Sequence, residues 1–176
     1  DVNFKIKPNS ITAISGSLGA GKSVLMNLFA GFYEPTLGKI LYDKTPFNNI
    51  NKNIFRNQIG IYLNDVGVIK GTVMQNIQIS NPDVTAEDIT KTAEELGVDN
   101  FTEYFSNGYY TEISETDSQL SYSSKKMILL LRAFLGKTRL LILEDPFEGL
   151  NESLKIKIWE YLQKMSSHRN IVMVTK

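Results

Sequence analysis

Eight residues near the start of the chain, Gly16-Ser17-Leu18-Gly19-Ala20-Gly21-Lys22-Ser23, have the spacing G-x-x-x-x-G-K-S and sit between two apolar runs. Before them Ile11 to Ser15 reads as a strand, and from Ser23 to Ala30 the pattern reads as a helix. The glycines let the backbone curl so that consecutive N–H groups face one anion, and the helix directs its positive dipole end at the same point. Lys22 then reaches the β- and γ-phosphates of a nucleotide, and the Ser23 hydroxyl holds Mg²⁺. The competing reading is a glycine-rich turn that binds nothing. Lys-Ser at the required spacing, after a strand and before a helix, argues instead for a nucleoside triphosphate site.

The rest of the chain alternates strands with helices. Val2-Asn3-Phe4-Lys5-Ile6 alternates as an edge strand does and stops at the turn dipeptide Pro8-Asn9. Gly31, Pro35 and Gly38 lead to a short strand, Lys39 to Tyr42, and an Asn-rich stretch from Phe47 to Gln58 reads as a solvated loop with a short helix. Ile59 to Leu63 is an apolar strand. From Thr72 to about Leu135 the pattern is helical, with Thr85-Ala86-Glu87-Asp88 as a capping box opening a helix to Leu96 and Gly97 as its stop. Leu140 to Leu143 is a further strand, Asn151 to Met165 an amphipathic helix, and Ile171 to Thr175 the last strand. Leu154, Ile158, Leu162 and Met165 keep helical spacing and read as core. This order predicts an α/β fold with a parallel sheet covered on both faces and a mostly helical insertion.

Composition sets the outer bounds. The chain has 176 residues, enough for one domain with a sizeable core. Nineteen basic and nineteen acidic residues balance, so no overall basic surplus points to nucleic acid. The absence of cysteine excludes disulfides and thiolate metal sites and fits a reducing compartment. No apolar run approaches the roughly 18 to 20 residues of a membrane span; Met127 to Leu131, continued by Arg132 and Ala133-Phe134-Leu135, reads as a buried helix. No cleavable signal is visible, and the lack of an initiator Met before Asp1 suggests a cut chain.

A phosphate loop alone leaves kinases, GTPases, helicases and transport ATPases open. Asn51-Lys52-Asn53-Ile54 lacks the Asp of the GTPase N-K-x-D base reader, and no long heptad segment divides the core as in chromosome-maintenance ATPases. The strand Leu140-Leu141-Ile142-Leu143 ends in Glu144-Asp145, a layout in which one acid orients a metal shell and its neighbour polarises a water. Two acids there could also merely cap the next turn. The continuation Glu144-Asp145-Pro146-Phe147-Glu148-Gly149-Leu150-Asn151 resembles, without a gap, the D-E-P-T-S-G-L-D segment of ATP-binding cassette (ABC) transporter ATPases. Leu120-Ser121-Tyr122-Ser123-Ser124 sits where that family has its L-S-G-G-Q signature. Ile59 to Asp65 is similar to the I-G-x-V-x-Q-D strand and glutamine loop, Gly71 to Ile77 to G-T-I-x-E-N-I, and Thr111 to Glu115 to the T-E-V-G-E loop of the exporters.

The resemblance covers nearly the whole chain. It implies a RecA-like core, roughly residues 1 to 71 and 136 to 176, holding a helical subdomain over about 72 to 135. It also implies two such domains sandwiching ATP and Mg²⁺, each phosphate loop facing the other's signature, beside the transmembrane domains of an exporter on the cytoplasmic face of a membrane. The second nucleotide-binding domain could be a copy of this chain or a different one. By the same resemblance, the family's adenine-stacking aromatic is expected upstream of Asp1 and its C-terminal helical tail after Lys176.

Several chemical positions depart from the family. Its Asp-Glu pair is reversed to Glu144-Asp145, so the water-polarising acid is one methylene shorter, and a misplacement of about 1 Å can cost roughly 100-fold in rate. The metal-sensing Gln becomes Asn64. In the signature Ser121 persists while Gly-Gly-Gln becomes Tyr122-Ser123-Ser124. The V-T-H switch reads Val174-Thr175-Lys176, and a lysine cannot relay a proton as neutral imidazole can. His168 reads as an exposed loop residue, Lys125-Lys126 as a solvated helix face, and Tyr109-Tyr110 as packing. The catalytic candidates are thus Asp145 and Lys176, and the metal candidates Ser23, Asn64 and Glu144. The resemblance with these departures implies one of two functions: an ATP-binding domain of an ABC exporter with impaired hydrolysis, or a non-hydrolysing regulatory half-site that pairs with a competent partner.

Overall fold

The computed structural model describes residues 2–98, 101–116 and 120–175. Four strands, β1 (Ile11–Ile14), β4 (Ile59–Tyr62), β7 (Leu140–Glu144) and β8 (Asn170–Val174), form one sheet in the order β1-β8-β7-β4. Every pairing in it is parallel. The near-continuous apolar runs of β7 and β8 follow from burial on both faces. Leu141, Leu143, Ile171 and Met173 point into one core and Ile142, Val172 and Val174 into the other, the two-residue alternation of a strand.

The first core lies under α3 (Val73–Gln78), α4 (Ala86–Leu96), α5 (Tyr122–Phe134) and α6 (Glu152–Ser166). Helix α4 opens on the expected capping box, with Thr85 accepting from the Asp88 N–H, and closes on Gly97 at φ 71°. Thr72 and Gln75 make a second capping box on α3. In α6, Ile158, Leu162 and Met165 are buried and Leu154 packs partly against them. Gly60 on β4 lets α5 approach closely, because a Cβ there would come 2.6 Å from the Ala133 carbonyl oxygen. The second core lies under α1 (Lys22–Phe29) and is filled by Tyr42, Phe47 and Phe55, whose rings stand 4.6 to 5.9 Å apart between centres.

Four expectations change. Residues 2 to 6 form no strand with any described residue; their alternation instead seats Phe4 edge-on against Phe29 at 5.8 Å, and Ile6 on the second core. The strand expected over Lys39 to Tyr42 is one arm of a hairpin, β2 (Leu41–Tyr42) with β3 (Thr45–Pro46), turned by Asp43 and Lys44 at φ 47° and 71°. The stretch from Thr72 to Leu135 is not wholly helical: β5 (Gly71–Thr72) pairs antiparallel with β6 (Glu112–Ile113). Lys126 is buried, for reasons given below. The short helix of the Asn-rich stretch is α2 (Lys52–Arg56), capped by Asn51.

Arg132 joins the insertion to the segment after β4. It is 6% exposed, and burial pushes its guanidinium down to about 10. Its Nε and one terminal nitrogen donate to the Asn76 carbonyl and Oδ1 at 2.8 and 2.7 Å, and the other donates to the Gly67 carbonyl at 2.9 Å. The Asn76 amide donates in turn to the Ile69 and Thr72 carbonyls. Among the described residues no helix is long and apolar enough to cross a membrane.

Candidate functional site

The register of the parallel sheet brings the candidates to one edge. Ile14 pairs with Val174, Val174 with Glu144, and Leu143 with Tyr62, so the chain leaves all four strands at the same end. From that edge emerge the loop of Gly16 to Ser23 after β1, Asp145 after β7 and Asn64 after β4. Lys176 lies outside the described residues. In parallel α/β sheets the crevice at the carboxyl ends of the strands is where ligands bind.

Gly19 and Gly21 have φ of 78° and 84°, values an L side chain adopts only with strain, and Gly21 is the N-cap of α1. No side chain caps that helix, so its first N–H groups are presented outward. Lys22 curls back over the loop, its Nζ donating to the Gly16 carbonyl at 2.7 Å and the Ser17 carbonyl at 3.0 Å. Ala20 N–H closes the turn onto the Ser17 carbonyl at 3.2 Å. Leu18, at 99% exposure, projects from the loop, and Ser23 is exposed at its end.

Glu144 is buried, and its Oε2 accepts from the Asn64 main-chain N–H at 3.0 Å. Asp145 holds φ 46°, in the left-handed region, while its N–H donates to the Val174 carbonyl at 3.0 Å. The Glu148 N–H donates to the Asp145 carbonyl at 3.1 Å, closing a tight turn behind the acid. Tyr62 stands beside this turn. Burial pushes its phenol well above the usual range, and Tyr122, Glu148, Asp145 and Glu144 raise it further.

Leu120 and Ser121 lead into α5. Ser121 caps that helix by accepting from the Ser124 N–H at 3.0 Å, and the Ser121 and Ser124 hydroxyls are 2.8 Å apart. Ser124 is buried, whereas Ser123 and the Tyr122 ring are exposed. A Cβ on Gly149 would come 3.3 Å from Tyr122 Cε1, so the ring lies over the turn that follows Asp145.

The paired lysines in the first turns of α5 are not a solvated face. Lys125 forms an ion pair with Glu115, whose carboxylate also accepts from the Val68 N–H at 3.1 Å. Lys126 is 2% exposed, its Nζ donating to the Asp145 carbonyl at 3.3 Å and lying 5.1 Å from the centre of the Tyr62 ring. Tyr62 and the turn after β7 both lie far from it in sequence. His168 is exposed, as expected. Tyr109 is a partly buried packing residue near the Thr90 hydroxyl at 3.0 Å, while Tyr110 is exposed.

Comparison with known proteins bears on the family and the fold. The sequence model of a family described as ABC transporter matches residues 1–148. The chain is 31% identical, over 98% of its length, to 29% of YknV, an uncharacterized ABC transporter ATP-binding protein of Bacillus subtilis. It is 30% identical, over 99% of its length, to 28% of a fatty acid ABC transporter ATP-binding/permease protein of Mycobacterium bovis. It thus spans less than a third of the length of these curated relatives. A bacterial Atm1-family ABC exporter solved with ATP bound has the same fold, with a TM-score of 0.87 at 24% identity over 98% of this chain and 30% of that one. With the family's motifs in order along the sequence and its fold in the structure, the chain belongs to the ABC transporter family.

Proposed function

We propose that the chain binds Mg-ATP on Gly16 to Ser23 and is the ATP-binding domain of an exporter, closing on a second such domain around nucleotide with its own hydrolysis impaired. The observation that carries this reading is the convergence on one sheet edge of the uncapped α1 terminus, Lys22, Glu144 and Asp145. Phosphates replace the Gly16 and Ser17 carbonyls as partners of the Lys22 ammonium, a charge-assisted exchange. The hydroxyl and carbonyl or carboxylate oxygens of Ser23, Asn64 and Glu144 suit a hard cation that arrives with its own phosphate oxygens. When bound, Mg²⁺ neutralises charge on the phosphates.

Asp145 is the carboxylate assigned to the attacking water, and Lys176 stands at the switch position. We assign residues 1–71 and 136–176 to a RecA-like core and 72–135 to a helical subdomain whose signature, Leu120 to Ser124, faces the partner's nucleotide. The partner domain, transmembrane segments and a place on the cytoplasmic face of a membrane complete the reading. It is supported by relatives named as ATP-binding/permease proteins. A second reading, a regulatory half-site that binds ATP without hydrolysing it beside a competent partner, is favoured by the exposed Tyr122 ring where the family has a bare glycine.

Calorimetry with Lys22→Ala tests the binding site. Loss of a contact worth roughly 1.5 to 3 kcal/mol should weaken ATP binding by about one to two orders of magnitude. Unchanged affinity would sink the assignment. Steady turnover of about 1 s⁻¹ or faster, inside the ordinary enzyme range, would remove the impairment from the reading.

A further inference from the structure

Lys126 offers a function beyond packing. A buried ammonium is retained only where carbonyl oxygens, ring faces or anions offset its lost hydration, and a lysine stem is long enough to carry its head to water from most helix positions. Here the head turns inward, over the Tyr62 ring and onto the Asp145 carbonyl. That carbonyl belongs to the acid with the left-handed backbone at the end of β7. Both peptide groups flanking the Asp145 α-carbon are therefore held, the N–H by β8 through Val174 and the carbonyl by α5 through Lys126. A residue fixed on both sides has little freedom to re-aim its side chain.

We propose that Lys126 is a positioning residue for Asp145, a buried cation that holds the strained turn after β7 from the same helix that carries the signature residues Ser121 to Ser124. The inference rests on the reading of Asp145 as the carboxylate that addresses the attacking water. Its consequence is mechanical: a shift of α5, whose amino end faces a partner domain in that reading, pulls on the Asp145 peptide directly.

The test compares Lys126→Met, which keeps an apolar stem without charge, with Lys126→Arg, which restores a cation. Amide hydrogen exchange over residues 144 to 148 is measured in both, with ATP affinity and single-turnover hydrolysis at excess protein. The Met variant should exchange at the Asp145 and Glu148 amides about tenfold faster than the parent, while the Arg variant stays within roughly threefold. ATP affinity should be unchanged in both, and whatever hydrolysis the parent performs should fall about tenfold with Met and recover with Arg. If the Met variant does not fold, Lys126→Gln takes its place.

Unchanged exchange in the neutral variant, acceleration spread evenly over the chain, or an Arg variant no better than Met would each overturn the proposal. A parent that fails to bind ATP would overturn the nucleotide reading instead, and the exchange comparison would still decide the role of Lys126.

Discussion

The Asn64 main-chain N–H donates to Glu144 Oε2 at 3.0 Å, joining the ends of two parallel neighbours, β4 and β7. Glu144 therefore has a structural task besides any metal it helps to hold, and the two can be separated by substitution. Glu144→Gln keeps an acceptor for the Asn64 N–H and should leave stability nearly unchanged while lowering the Mg²⁺ dependence of ATP binding. Glu144→Ala strands that N–H and should cost about 1 to 3 kcal/mol as well. Chemical denaturation and nucleotide titration with and without Mg²⁺ check the pair. Equal stability loss in both variants would contradict the acceptor role.

Asp145 and Lys176 address one water in the proposed function, so their defects should combine. Asp145→Glu with Lys176→His should raise turnover more than either change alone. The gain should be largest beside a partner domain with an intact L-S-G-G-Q, because that partner then caps this chain's phosphate loop. A double variant that dimerises on ATP with such a partner yet gains no hydrolysis would show that the assignment of these two residues is wrong.

Arg132 is the buried cation that ties the insertion to the segment after β4. Removing it leaves the buried Asn76 carbonyl and the partly buried Gly67 carbonyl without their donor. Arg132→Met should cost about 3 kcal/mol. At roughly 2–4 °C per kcal/mol for a chain of this size, the midpoint should fall by roughly 6–12 °C. Thermal unfolding checks it, and a shift below about 2 °C would mean that the network contributes little.

Glu115 gives a pH-dependent handle. The bond from Lys125 holds its carboxyl below the ordinary range, with the charge of Lys125 and the Val68 N–H acting in the same direction. Because the folded value is the lower one, the pairing contributes fully above the ordinary glutamate pKa and is lost as pH falls through the folded value. An NMR titration of the Glu115 side chain should place its midpoint below that of an exposed glutamate, and Lys125→Met should raise it. A midpoint insensitive to Lys125 would refute the cause assigned.

Gly60→Ala probes the approach of α5 to the sheet. Its added methyl group meets the Ala133 carbonyl oxygen, which belongs to helix backbone and cannot swing aside as a side chain could. Overpacking of this kind should cost about 1 to 3 kcal/mol, readable in denaturant unfolding at constant slope.

Much of this was legible in the sequence because its signals are local. The glycine turn between β1 and α1, the capping box at Thr85, the stop at Gly97 and the apolar runs of β4, β7 and β8 depend on residues within a few positions of one another. What escaped depends on distant partners. The alternation at residues 2 to 6 reports sidedness, and a strand also needs a neighbour. The β5–β6 pair joins segments forty residues apart, since Thr72 pairs with Glu112. Lys126 was misread because adjacent lysines suggest solvent, while its surroundings come from β4 and from the turn after β7. Thr72-x-x-Gln75 was a capping signature within reach of the same reasoning that found Thr85.

Among the described residues β1 has a single neighbour in the sheet, and Ile11 pairs with Ile171. The strand that precedes the loop of Gly16 to Ser23 is therefore synthesised well before this partner. At about 5–20 residues per second the interval is roughly 8 to 30 s, during which an apolar strand and its glycine-rich loop have no ladder to join. A polypeptide that ends anywhere between α1 and β8 therefore carries the whole Gly16 to Ser23 loop but lacks the strand on which β1 is anchored.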